Sequence, residues 1–354
     1  MKKTLLALSL SGIALASTPL NSFAMSKPAD PTPVDETVVY PQPDTKVSFI
    51  AIGDSGTGKD GQYKVAAAME AVCQLKPCDF AIGLGDNIYE SGVDGVDDIQ
   101  FDLKFEDPYK NLDFPFYMAL GNHDNSWIIG GDGADNDKGE IQVEYHYRKD
   151  RKSEKWQMPA RYYQFNAPAN GTPLVSFYAM DTNPSASAGD PSDEYNKDDY
   201  SEKQGKWLLD GFKASSAPWK IAFGHHPYIS NGSHGNAGNY DSLIGQGKFF
   251  KEMVEKNVCG NADAMIVGHT HALQWLKEKD SCPGTFHIIS GAGAKTKNFV
   301  TKTELNEYYW QEDEILGFFH IEIQGDQFHG TAYTVDPVSG EYRAAYTRTM
   351  QRQK

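Results

Sequence analysis

The sequence predicts a layered α/β fold, and three observations predict it. Short apolar runs rich in Val, Ile and Phe recur along the chain, each stopped by glycine or a polar residue: VSFIAIGDSG, FAIGLGDN, FYMALGNHD, LVSFYAMDT, WKIAFGHHP, DAMIVGHTH and FHIISGAG. Runs of this length and composition read as buried strands. Between several of them lie segments with helical spacing, DGQYKVAAAMEAVCQL from Asp60 and SEKQGKWLLDGFKAS from Ser201, the second opening on a Ser-x-x-Gln capping pattern. Strand and helix in alternation give a layer fold. The chain also shows no internal repeat and no interior linker, so one large domain accounts for most of its 354 residues, 40% of them hydrophobic.

That domain is expected over residues 46–354. Ahead of it, Lys2 and Lys3 precede an apolar run from Leu5 to Ala16, and Ser22-Phe23-Ala24 places small residues at a cleavage site. Residues 1–24 therefore read as a signal peptide cut near Ala24, and residues 25–45, rich in Pro, Asp and Thr, as an extended leader. The apolar run is too short to span a bilayer, and no later segment approaches about 18 apolar residues. A secreted or periplasmic, soluble protein follows, with a monomer expected and no membrane partner. Four cysteines suit an oxidising compartment: Cys73 and Cys78 are close enough to clip one loop and Cys259 and Cys282 to close another, with other pairings open. A net charge of −15 and the lack of a basic tract exclude a nucleic-acid partner. A small anionic substrate then needs local positive charge, for which bound metal is the obvious source.

The strand ends carry the chemistry. They present Asp54 in GDSG, Asp86 and Tyr89 in GDNIY, Asn122 and His123 in GNHD, His225 in GHHP, and His269 and His271 in GHTH. Carboxylate, imidazole, amide and phenol together suit Fe, Zn or Mn better than Ca²⁺, which takes oxygen alone. His269 and His271, two residues apart on an extended segment, point the same way and reach one site. Singly, a Gly-Asp pair is a common turn and a lone histidine a satisfied structural residue. Five clusters in succession, each after an apolar run, read instead as one assembled centre, because ligands gather at the carboxyl ends of strands in such folds.

This ordered pattern resembles the calcineurin-like metallophosphoesterases, and within them the purple acid phosphatases of the small tartrate-resistant type. The resemblance runs from about Lys46 nearly to the end and includes KWQMPARYYQF, GHHPYISNGSHG and GHTHALQWL followed by HIISGAG. It implies a four-layer α/β/β/α sandwich of two mixed sheets flanked by helices, holding two metal ions. Fe(III) would take Asp54, Asp86, Tyr89 and His271; Fe(II), Zn or Mn would take Asp86, Asn122, His225 and His269, with Asp86 shared. Two ions about 3.5 to 4 Å apart clamp phosphate oxygens and lower the pKa of a water. His123 and His234 are the candidates for contacting phosphate or protonating the leaving oxygen, with Asn122 and His226 also beside the substrate. Many related phosphodiesterases carry Asp-x-His at the first cluster, where this chain has Asp54-Ser55-Gly56. Tyr89 fills that gap, and a ferric phenolate would colour the protein.

Departures from the pattern are local. Asn125 stands where mammalian members carry another histidine, and His226, where tyrosine is frequent, either lines the pocket or packs. Lys295 and Lys297, after SGAG, contact substrate or merely face solvent, the second reading being favoured. GGDGADNDKGE from Gly130 lacks the spaced glutamate of a calcium loop and reads as a mobile acidic loop at the mouth. His146, His287, His320 and His329 match no ligand position and default to structure. The expected function is an acid phosphatase hydrolysing small phosphate monoesters by a binuclear metal-hydroxide mechanism. The alternatives are a phosphodiesterase or nucleotide pyrophosphatase on the same scaffold, or a non-catalytic exported protein that binds metal or phosphate.

Overall fold

Every residue after the first in β1 (Lys46–Ile52) is buried, so both faces of the strand are covered, as a continuous apolar run requires. The same holds throughout β2 (Phe80–Leu84), β6 (Val175–Ala179), β8 (Ala264–Val267) and β10 (Phe286–Ser290). The structure, a computed structural model, describes residues 45–127, 130–187, 192, 194–240, 247–299 and 306–352. The expected signal, and all but the last residue of the expected leader, lie outside the described residues.

All the apolar runs form strands, with β3 (Phe116–Ala119) and β7 (Trp219–Gly224) completing the set. Further strands are β4 (Trp156–Gln157), β5 (Tyr163–Ala167), β9 (Leu273–Leu276), β11 (Tyr308–Glu312), β12 (Leu316–Gln324), β13 (Gln327–Val335) and β14 (Tyr342–Gln351). They assemble into two mixed sheets, ordered β14-β13-β12-β1-β2-β3-β4 and β11-β9-β10-β8-β7-β6-β5. Parallel pairing of β1, β2, β3 and β4 in the first sheet and of β6, β7, β8 and β10 in the second sets their carboxyl ends side by side.

Helix α1 (Asp60–Leu75) has the predicted bounds and buries Val65, Met69 and Val72 along one stripe. A second helix, α2 (Asp137–Tyr147), starts inside the segment expected to be a mobile acidic loop. That segment is pinned: Gly131 N and Gly133 N both donate to Ser126 Oγ, and Asp135 N donates to the Asn125 carbonyl. After the short α3 (Asn183–Ala186), α4 (Lys197–Ala214) starts four residues before the predicted Ser201. Its cap is Asn196, whose Oδ1 accepts from Asp198 N at 3.1 Å and Asp199 N at 3.5 Å, so the capping pattern at Ser201 lies inside the helix.

The two sheets meet through an aromatic layer. The Phe49 ring of β1 stands edge-on to Phe177 of β6 at 5.1 Å, Phe80 of β2 to Phe165 of β5 at 5.5 Å, and Phe286 of β10 to Phe328 of β13 at 4.9 Å. Such pairs add about 0.5–1.5 kcal/mol each beyond the area they bury. Two disulfides close outer loops as the sequence suggested, Cys73–Cys78 over five residues and Cys259–Cys282 over 23. Loop-closure entropy makes the longer loop worth about 3 kcal/mol and the shorter about 2 kcal/mol. Paired Cys→Ser substitutions followed by urea unfolding are expected to lower stability in that order, with Cys259/Cys282 the larger loss.

Candidate metal centre

The parallel strands of both sheets aim at one seam, and the loops leaving them carry the predicted donors. Asp54 follows β1, Asp86 follows β2, Asn122 and His123 follow β3, His225 follows β7, and His269 and His271 follow β8. Backbones of opposite sheets touch here, with Gly53 N donating to Ser290 O at 2.8 Å. Gly85, at φ 82°, is what lets the β2 loop reach the β7 loop, since a Cβ there would stand 2.7 Å from His225 Nδ1. Asp54, Asp86 and His269 hold φ of 57°, 55° and 66°, a left-handed conformation that costs a non-glycine residue about 1–3 kcal/mol. Bonds between the loops offset this: His269 N donates to Asp54 Oδ2 across the seam at 2.8 Å, and His123 N to Asp86 Oδ1 within the first sheet at 2.9 Å.

The donor atoms fall into two groups. In the first, Asp54 Oδ1 lies 3.1 Å from the Tyr89 hydroxyl and 3.3 Å from His271 Nε2, and the last two are 3.3 Å apart. Asp54, Asp86 and His271 offer ligand atoms all within 4.8 Å of one another. In the second, Asn122 Oδ1 lies 2.9 Å from His225 Nε2 and 3.0 Å from His269 Nδ1, and these two nitrogens are 3.1 Å apart. Asp86 Oδ1 adds a fourth donor, 3.4 Å from His225 Nε2. Asp86 thus borders both groups.

These separations fit a metal. Ligand bonds of about 2.0–2.2 Å give a coordination polyhedron edges of about 2.8–3.6 Å, from octahedral to tetrahedral. The second group also has more lone pairs than protons. His225 Nδ1 donates to the Leu84 carbonyl at 2.8 Å, so whenever that ring carries a single proton its Nε2 presents a bare lone pair to the site. The Asn122 amide nitrogen donates to Gly131 O at 3.1 Å, which turns its oxygen toward the two imidazoles. One shared proton satisfies one contact and leaves the others lone pair against lone pair, whereas a cation satisfies all of them.

Burial sets the charge states of the metal-free protein. It pushes the Asp54 carboxyl up to about 8, with the Asp86 charge adding to the effect and His225 opposing it. Burial acts the same way on Asp86, but His225 and His123 outweigh it and hold that carboxyl at about 2. Burial and the two carboxylates hold the Tyr89 phenol well above its usual range. Burial also brings His271 down to about 4 and His269 well below its ordinary value, so both stay neutral and able to ligate in mild acid.

The two candidate catalytic histidines stand on the rim. His123 Nδ1 donates to Glu90 O at 2.6 Å, and its ring lies 4.4 Å from that of Tyr89. The His234 ring lies 4.4 Å from that of His269, and its Nε2 accepts from Lys297 Nζ at 3.4 Å. His226, expected to line the pocket or to pack, has its ring 4.6 Å from that of His269. It is buried, with Nδ1 at 2.8 Å from Thr182 Oγ1 and Nε2 at 3.3 Å from Ser187 Oγ, so both nitrogens are taken by the packing beneath the β7 loop. Lys295 does not simply face solvent, since its Nζ lies over the Tyr89 ring.

Two supporting residues escaped the sequence reading. Asp124 is buried, and its carboxylate accepts from Asn87 N, Ile88 N, Gly121 N and Gln142 Nε2, which ties the Asp86 loop to the Asn122 loop. Arg161 is buried against Asp181, with Nε–Oδ2 at 2.7 Å, and donates through Nη2 to Asn125 Oδ1, whose amide in turn donates to Gly121 O. Their signals were present in GNHD and KWQMPARYYQF, but only the fold shows which backbone groups converge on them.

Two facing mixed sheets with oxygen and imidazole donors at the ends of their parallel strands define a metal-dependent phosphoesterase. Residues 47–273 match the family described as calcineurin-like phosphoesterase, and the chain belongs to that family. Among relatives, it is 28% identical over 308 residues to purple acid phosphatase 4 of Arabidopsis thaliana, covering 83% of this chain and 82% of the relative. It is 26% identical over 310 residues to tartrate-resistant acid phosphatase type 5 of Mus musculus, covering 79% and 84%. A solved structure described as GAP50, the anchor in the inner membrane complex of Plasmodium, superposes with a TM-score of 0.67 at 19% identity, over 87% of this chain and 90% of that one, and shares the fold.

The Asp54 shift carries a sign. In metal-free protein its folded pKa is raised from 3.8 to about 8, so the stability it contributes is full below pH 4 and is lost as pH rises through 8. Asp54→Asn removes that titration. Urea midpoints of metal-free wild type and D54N at pH 4, 6 and 8 are expected to diverge in favour of the variant as pH rises.

Proposed function

We propose that the chain is an exported acid phosphatase that hydrolyses small phosphate monoesters at a binuclear metal centre. Residues 46–354 form the catalytic domain, behind a signal over 1–24 and a leader over 25–45. The observation that carries this reading is the position of Asp86, a buried carboxylate bordering two groups of donors spaced as ligands are.

Asp54, Asp86, Tyr89 and His271 would hold a ferric ion, and Asp86, Asn122, His225 and His269 a second ion, Fe(II), Zn or Mn. Bound there, the pair supplies Lewis acidity toward the phosphoryl oxygens and a nucleophile in mild acid. The chain's own groups do the rest. Leu84 O and Gly131 O fix which faces of His225 and Asn122 look inward. Glu90 O accepts a hydrogen bond from His123 Nδ1, so Nε2 is the atom left to meet phosphate or pass a proton to the leaving oxygen. His234, held beside the Lys297 ammonium, is the second such group. The depressed His271 and His269 keep the ligand set intact at a pH where free histidine is protonated, which supports an acid working range.

Asp86→Ala is expected to lose both ions by metal analysis, and with them activity on a generic phosphomonoester. His123→Ala and His234→Ala are expected to keep metal while kcat falls by about 10²–10⁴. The substrate class is tested by comparing alcohol release from a monoester and a diester: diester preference would replace this reading by a phosphodiesterase or nucleotide pyrophosphatase. Two bound metals without cleavage of either ester would leave a binding protein.

A further inference from the structure

Lys295 lies in the loop after β10, with its Nζ 3.5 Å from the centroid of the Tyr89 ring. Its lateral position is held by the next residue along from the phenol, since the same ammonium is 3.3 Å and 3.4 Å from the two carboxylate oxygens of Glu90. The side chain is 26% exposed, less than a lysine extended into solvent would be. Tyr89 itself is buried, and its hydroxyl faces Asp54. Among the described residues, Lys295 is the one cation that lies over the face of this ring. Lys104, the other nearby ammonium, donates to the Tyr89 backbone carbonyl instead.

We propose that Lys295 is a positioning residue that sets how strongly the Tyr89 phenolate donates electron density to the ion at the tyrosine site. The inference rests on the reading of Tyr89 as a ligand of ferric iron. A cation over an aromatic face interacts with the π electrons of that ring, and the interaction strengthens when the pair is shielded from water. Ionisation places negative charge in the ring and strengthens the attraction further. The filled orbitals of the phenolate would therefore be lowered more than the accepting orbitals of an ion held at its oxygen, since the ammonium lies over the ring. Two consequences follow from that difference. Transfer of an electron from phenolate to iron takes more energy, so the visible band lies at shorter wavelength than it otherwise would. The phenolate is also a weaker donor, so the ferric state is less favoured and the reduction potential of the tyrosine-site iron is higher.

The test uses purified, iron-reconstituted protein and does not depend on turnover. Lys295→Met keeps the length of the side chain and removes its charge, while Lys295→Arg keeps the charge. With equal iron content, K295M is expected to shift the visible band to longer wavelength and lower the midpoint potential, and K295R to stay near wild type. If K295M fails to load iron, K295Q serves as the neutral variant, and the same shift is expected. A band and potential unmoved in the neutral variant overturn the inference while leaving Tyr89 as ligand. A colourless wild type with ferric iron bound overturns the phenolate reading itself, and this inference with it.

Discussion

One buried carboxylate organises the centre. Asp86 lies where the two sheets abut, takes the His123 amide, faces His225, and borders the Asp54, Tyr89 and His271 group. Removing a carboxylate from water is costly unless fixed partners replace the solvent. Here the partners come from loops of both sheets. The positive φ of Asp54, Asp86 and His269 is the backbone expression of the same demand. Each loop turns sharply at the end of its strand to bring a donor into a space that Gly85 keeps free of a side chain.

The surrounding structure is arranged to hold these turns. Asp124 gathers amides from two loops, and Arg161 braces the second of these through Asn125 while paired with Asp181. A buried ion pair of this kind is weak evidence for stability, but its hydrogen bonds specify one arrangement of the chain around the Asn122 turn. The Asn231 and Asn306 amides act similarly on the loop that carries His234: Asn306 N donates to Asn231 Oδ1 at 2.7 Å and Asn306 Nδ2 to Ser230 O at 3.1 Å.

The donors were legible because strand ends punctuate the sequence. An apolar run followed by glycine and then Asp, Asn or His marks both the strand and its exit. Tyr89 stood among the strand-end donors as a phenol three positions after Asp86, and the resemblance favoured it as a ligand over aromatic packing beneath the site. The antiparallel half of the first sheet was not legible. β14 is an edge strand whose residues are largely exposed, and β12 and β13 mix Glu, Gln, His and Thr with apolar residues, so neither offers a clean run. The depth of His226 was not legible: its nitrogens meet Thr182 and Ser187 while its ring backs that of His269 at 4.6 Å. The start of α4 misled because two capping patterns compete, and Asn196 has its side chain on the free amides. The place of Lys295 follows from the path of a loop, which no local pattern records.

The donors are divided between the sheets, Asp54, Asp86, Tyr89 and Asn122 from one and His225, His269 and His271 from the other. An ion held by both halves resists any sliding of one against the other. By linkage, whatever free energy ion capture adds to the joined sandwich, a flaw in the sandwich subtracts from ion capture. Retention of such an ion and mechanical cohesion of the two halves would therefore be a single property, so damage to the Phe49–Phe177 contact would be felt at the seam without any ligand being touched.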